Sequence, residues 1–239
     1  MISSILVNSE GVVLKEDNAD IVQNPASLTK LMTLWLTFDA LALDRVVTVP
    51  DHAEIRKQPG KIGQSNMGLK AGMKVSVLDL VLGMIVPSGN DAATTVAHVL
   101  GPDGAFLEKM NAEALRMGLT NTRFISPSGL GRGESTARDM AILARRLHDD
   151  YPHYRSMFGI GSFAFAGRRY KTTNTLALSN RHITGLKTGT LSNLHRCLAA
   201  SASRRGVTVF SVVMNCPDRA SRDTLTSKLL ELGLAGKTA

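Results

Sequence analysis

Ser27 and Lys30 stand three residues apart in the run Asn24-Pro25-Ala26-Ser27-Leu28-Thr29-Lys30-Leu31-Met32-Thr33-Leu34-Trp35-Leu36-Thr37-Phe38. On a helix that spacing puts both side chains on one face, within reach of each other. A hydroxyl beside an amine makes an activated nucleophile, provided the amine is neutral and can take the hydroxyl proton. Burial or a second nearby cation lowers a lysine pKa far enough for that. The run supplies the burial, because its apolar residues leave almost no polar face and such a helix belongs in a core. Pro25 and Ser27 read as start signals, placing Ser27 in the first turn beside unpaired N–H groups and the positive end of the helix dipole. One SxxK arises easily by chance, so the pair needs company.

The company comes in Ser88-Gly89-Asn90 and Lys187-Thr188-Gly189, each sitting where an element ends. Taken singly, the first reads as turn and cap residues and the second as a solvated strand end. The apolar segment from Val75 to Val86 stops at Pro87, and a second helical pattern runs from Ala92 to Leu100, so Ser88 and Asn90 fall in a break between two buried helices. Ile2 to Val7 and Gly11 to Lys15 read as two strands of a hairpin, and Arg45 to Val49 as a short strand. Lys57 to Gly72 reads as surface loop. Phe106 to Met117 is amphipathic, Asn121 to Gly133 is a Pro/Gly/Ser loop, and Ser135 and Thr136 cap a helix running to about His148. Phe163 to Lys171 and Ile183 to Leu186 read as extended. Leu194 to Ser203 with Val207 to Asn215 form the clearest hairpin, turning at Arg204-Arg205-Gly206, and a last helix spans about Ser221 to Leu234. Strands at both termini with helices between them predict an α+β body whose sheet is built from both ends of the chain. The expected organisation is one domain over 1–239, with a sheet part from 1–45 and 165–239 and a helical part from 46–164.

With 239 residues the chain can bury a large core. Its 44% hydrophobic and 20% charged residues are ordinary for a globular protein, and no uncharged apolar run is long enough to span a membrane. Met1 to Val7 lacks the basic segment and long apolar stretch of a secretion signal. The net charge of +8 favours an anionic partner. Nucleic acid is a poor candidate, since the pairs Arg145-Arg146, Arg168-Arg169 and Arg204-Arg205 are scattered and carry no aromatic interleaving. Cys197 and Cys216 are too few for a disulfide framework and read as free thiols near a hairpin. The six histidines show no metal-ligand spacing, with His148 and His153 expected at a helix-end surface, so neither metal nor cofactor is expected.

The three signatures together are the SxxK, SxN and KTG set of penicillin-recognising acyl-serine enzymes. With Gly68-Leu69-Lys70-Ala71-Gly72, Ser88-Gly89-Asn90-Asp91-Ala92, Ser135-Thr136-Ala137-Arg138-Asp139-Met140-Ala141 and Gly185-Leu186-Lys187-Thr188-Gly189, nearly the whole chain resembles the low-molecular-mass penicillin-binding proteins, the serine D-alanyl-D-alanine carboxypeptidases of peptidase family S11. The resemblance implies a β-lactamase/transpeptidase-like fold: an antiparallel sheet flanked by helices plus a mainly helical subdomain, with the active site between them. It implies Ser27 as nucleophile, Lys30 as base and Ser88 as proton relay. Asn90, Lys187, Thr188, Gly189 and Thr190 are then the substrate-binding set, with the N–H groups of Ser27 and Thr190 as oxyanion hole. It also places an arginine beside the KTG strand, for which Arg222 is the candidate and Arg219 the alternative. Position 190 is often histidine in the family, so Thr190 predicts altered contacts to the terminal D-Ala.

The partners implied are a peptidoglycan stem peptide and β-lactams, and the location implied is extracytoplasmic. Many relatives continue into a β-rich domain and an amphipathic anchoring helix, whereas this chain ends soon after its last helical pattern. A class A β-lactamase would need an ExxLN carboxylate loop, and none stands between Asn90 and Lys187. A D,D-endopeptidase and a non-enzymatic β-lactam sensor remain as alternatives.

Overall fold

The structure is a computed structural model and describes residues 1–55, 64–102, 104–192 and 195–236. Its main sheet is five-stranded and antiparallel, in the order β2-β1-β9-β8-β7. The first two strands, β1 (Ser3–Asn8) and β2 (Val13–Asp17), come from the N-terminus, while β7 (Ile183–Ser192), β8 (His195–Arg204) and β9 (Val207–Cys216) come from the C-terminal part. The two termini therefore meet where β1 pairs with β9, leaving β7 as a free edge.

Between them lie α1 (Lys30–Ala40), α2 (Val77–Ile85), α3 (Asn90–Leu100), α4 (Ala105–Arg116), α5 (Ala137–Asp150) and the short α6 (Leu176–Ser179). α7 (Arg219–Leu234) closes the fold against β8 and β9. Two further two-stranded antiparallel sheets pair β3 (Val46–Thr48) with β4 (Lys74–Ser76) and, as a hairpin, β5 (Ser162–Phe165) with β6 (Arg168–Lys171). A 3₁₀ segment over Pro152–Gly159 and α6 have no counterpart in the sequence-based expectations.

α1 is the hub. Leu28, Leu31, Met32 and Leu34 are fully buried, and the helix touches α2, α3, α4 and α5, as its apolar circumference demands. α5 lies inside 46–164 yet packs on β1 and β9, so the helical part expected from sequence also furnishes a cover for the sheet. Its start follows the capping rule, the Thr136 hydroxyl accepting from the Asp139 N–H at 3.0 Å. His148 at its end is not the surface residue expected: its ring packs edge-on against Phe210 at 5.0 Å.

The surface loop expected over Lys57–Gly72 is corrected in its second half; residues 56–63 lie outside the described set. Met67 and Leu69 are buried. The buried Asp91 carboxylate holds them, accepting from the N–H groups of Met67 and Leu69 at 3.0 Å and from Ala92 N–H at the head of α3. Apolar periodicity cannot show a segment tethered through its backbone to one side chain. Asp91→Ala orphans three N–H donors near that carboxylate and is expected to cost about 3 kcal/mol or more, read as a lowered urea midpoint.

Candidate active site

Ser27 does not sit in the first turn of α1 but in a 3₁₀ turn over Ala26–Thr29, with α1 beginning at Lys30. The tighter winding serves the pair better, because residues three apart eclipse in a 3₁₀ turn. Lys30 Nζ lies 3.0 Å from Ser27 Oγ. Its two other contacts are Asn90 Oδ1 at 2.7 Å and the Ser128 carbonyl at 2.8 Å. A neutral amine donates to those two acceptors and keeps its lone pair for the serine O–H.

Ser128 is a partner sequence reasoning missed, since a carbonyl has no residue signature. The Pro/Gly/Ser loop that carries it is pressed onto the Ala26–Thr29 turn. Thr33 Oγ1 donates to the Pro127 carbonyl at 2.6 Å and Asn24 Nδ2 to the Gly131 carbonyl at 2.7 Å. Gly129 is the contact point: it has φ +84°, and a Cβ there would lie 1.8 Å from the Ala26 carbonyl oxygen. Gly129→Ala is accordingly expected to displace the Ser27 turn and slow acylation more than it lowers stability, compared by acylation rate and thermal midpoint.

Ser88 occupies the break after α2 in the left-handed region at φ +62°, a strained setting for a serine. The break is fastened by Gly89 N–H to the Gly83 carbonyl at 2.7 Å and Asn90 N–H to the Ser65 carbonyl at 2.9 Å. Lys187 reaches it from the edge strand, Nζ donating to Ser88 Oγ at 2.8 Å and to the Thr188 carbonyl at 3.0 Å. β7 can come this near because Gly189 has no side chain: a Cβ there would meet the Pro25 carbonyl and Cys197 Cβ at 3.1 Å.

Both amines are fully buried. Burial first, and the facing charge of Lys187 second, push the Lys30 amine well below its ordinary range, against a smaller opposing pull from Asp91. Lys187 is pushed down to about 7, by burial and then by Arg222. The cysteines, Cys197 on β8 and Cys216 at the end of β9, are free and buried, and burial pushes both thiols up to about 11.

The resulting cleft holds about 200 Å³. Ser27, Ser88, Thr188 and Thr190 open onto it, joined by Ser65 and Thr173, whose hydroxyl lies 2.7 Å from that of Thr188. Arg222 lines it as well, and so do Arg219 and Arg196, the last unnoticed in the sequence. Arg196 lies across from Thr190 in the β7–β8 ladder. The ambiguity between Arg222 and Arg219 thus resolves into shared placement, but only Arg222 is buried, at 2% exposure. Its Nε donates to Asp223 Oδ1 at 2.8 Å, and its Nη2 lies 2.6 Å from the same oxygen, out of line for a hydrogen bond and left without one. Among the described residues no group of three His, Cys, Asp or Glu side chains could hold a metal, and no helix is long and apolar enough to cross a membrane.

A half-buried serine beside a buried amine, where a sheet edge meets a helical layer, gives this molecule the architecture of the β-lactamase/transpeptidase class. Solved structures agree: penicillin binding protein 6B from Escherichia coli superposes with a TM-score of 0.91 at 34% identity, over 97% of this chain and 76% of that one. Penicillin-binding protein D2 from Listeria monocytogenes, in its cefotaxime-bound form, gives 0.85 at 30% identity over 97% and 96%. Residues 2–218 match the Peptidase S11 family, D-alanyl-D-alanine carboxypeptidase, and the chain belongs to that family. Among characterised relatives, D-alanyl-D-alanine carboxypeptidase DacC of Escherichia coli (strain K12) is 39% identical over 234 residues, 94% of this chain. The chain spans 58% of that relative's length.

Proposed function

We propose that this chain is a serine-type D-alanyl-D-alanine carboxypeptidase, removing the terminal D-Ala of a peptidoglycan pentapeptide through an acyl-enzyme and acylated by penicillins at the same serine. The observation that carries the reading is the 3.0 Å contact between Ser27 Oγ and a fully buried Lys30 amine. In this reading Lys30 takes the Ser27 proton as Oγ attacks the carbonyl of the penultimate D-Ala. Ser88, bonded to Lys187, passes a proton to the leaving amine as the C–N bond breaks, and water then hydrolyses the ester. Asn90 holds Lys30 and the substrate backbone, and the Ser27 and Thr190 N–H groups receive the oxyanion. Lys187, Thr188, Thr190 and Arg222 meet the terminal carboxylate. The substrate class implies an extracytoplasmic site of action.

The deciding experiment incubates the protein with a pentapeptide and with a cross-linked muropeptide and identifies products by mass. Release of free D-Ala from the pentapeptide is the expected result. Cleavage confined to the cross-linked substrate would replace the reading with an endopeptidase. Acylation by penicillin with no peptide turnover would replace it with a sensor.

The electrostatics predict a bell-shaped pH dependence for the second-order acylation rate. Activity falls toward lower pH as Lys30, depressed by burial and by Lys187, gains a proton, and falls above about 7 as Lys187 loses its own. Arg222 disfavours the protonated form of Lys187, so Arg222→Ala should raise that pKa and move the alkaline limb to higher pH. The same variant should lose about ten- to a hundredfold in kcat/KM on a peptide ending in a free carboxylate, and little on its amidated counterpart.

A further inference from the structure

A second cavity, of about 450 Å³ against about 200 Å³ for the catalytic cleft, opens beside β7 between the 3₁₀ segment, α6 and the far end of the sheet. The two share no lining residue. Phe158, Ile183 and Leu186 give it a buried apolar surface. Around that surface stand Arg155, Arg181 and His148, and no carboxylate is among the lining residues. Arg155 commits only its Nε, donating to the His148 carbonyl at 2.7 Å. Arg181 makes no hydrogen bond or ion pair among the described residues. Burial holds the His148 ring below its ordinary pKa, so near neutral pH the positive charge belongs to the two arginines.

The polar wall is built in pairs: Thr184 with Ser201 at 2.7 Å and Ser203 with Thr208 at 2.9 Å. One proton bridges each pair, which leaves each pair one O–H to offer a ligand. A volume of this order, an apolar wall and a few convergent donors are what a small-molecule site requires, and paired guanidinium forks select a planar anion.

We propose that this cavity binds a small amphipathic carboxylate, its head held by Arg155 and Arg181 and its apolar body lying against Phe158, Ile183 and Leu186. The proposal does not rest on the catalytic reading. The test titrates the whole chain with decanoate by calorimetry, beside acetate, which lacks the body, and decanamide, which lacks the charge. Saturable one-to-one binding of decanoate in the low millimolar range or tighter is expected, with both controls weaker. Arg155 and Arg181 are exposed, so Arg155→Ala with Arg181→Ala should keep the fold and weaken binding about ten- to a hundredfold. Arg222→Ala, which alters the catalytic cleft, should leave it unchanged. Absence of saturable binding, affinity that survives the double substitution, or an equal loss in Arg222→Ala would each overturn the proposal.

Discussion

Ser27→Ala is expected to take up no penicillin, whereas the unsubstituted chain gains the mass of one β-lactam on the peptide that contains Ser27. Ser27 Oγ lies 3.0 Å from the buried Lys30 amine, and among the described residues lining the cleft Ser88 is the other hydroxyl with a lysine amine this close. Ser88 is that rival, but in the proposed mechanism Lys187 is protonated and donates to it at 2.8 Å, so this amine has no lone pair to take the Ser88 proton. Loss of the nucleophile should lower acylation by about four orders of magnitude or more. The substitution itself removes one partly buried oxygen, so the thermal midpoint should barely move. An adduct surviving in Ser27→Ala would refute the assignment.

Lys30→Arg is expected to fold and yet acylate about a hundred- to ten-thousandfold more slowly, the range for loss of a positioned general base. A guanidinium still donates to Asn90 Oδ1 and the Ser128 carbonyl but stays charged at every accessible pH. It therefore has no lone pair for the Ser27 proton. The larger head group in a site with no exposure could itself disturb packing, so Lys30→Met provides the companion variant, keeping volume without charge. Both should acylate slowly to a similar degree, and the pH profile separates the causes: with the base gone, the limb assigned to Lys30 disappears from the residual rate. Near-normal acylation by Lys30→Arg would rule out the base role.

The residues of the proposed site and most of the elements were legible in the sequence. Residue types at short spacing show directly: Ser27 with Lys30, Ser88 with Asn90, and Lys187-Thr188-Gly189 on one strand. So do the buried helix α1 and the hairpin of β8 and β9, because local periodicity reports which faces are covered. The shared sheet was legible from strands lying at both ends of the chain. Strand order was not, and only the pairing of β1 with β9 places β7 at an edge of the sheet, beside the Ser27 turn.

What tertiary structure alone decided is the state of the groups. Lys30 is depressed by burial and by the charge of Lys187, 157 positions away in the chain, and Lys187 by burial and by Arg222. The Ser128 carbonyl and the Asp91 tether act through backbone groups, which every residue carries and no motif distinguishes. Arg196 joins the cleft through its cross-strand position opposite Thr190, a matter of register. Spacing within a motif depends on local geometry and is written in the sequence, whereas desolvation and long-range contact depend on which surfaces the whole chain brings together.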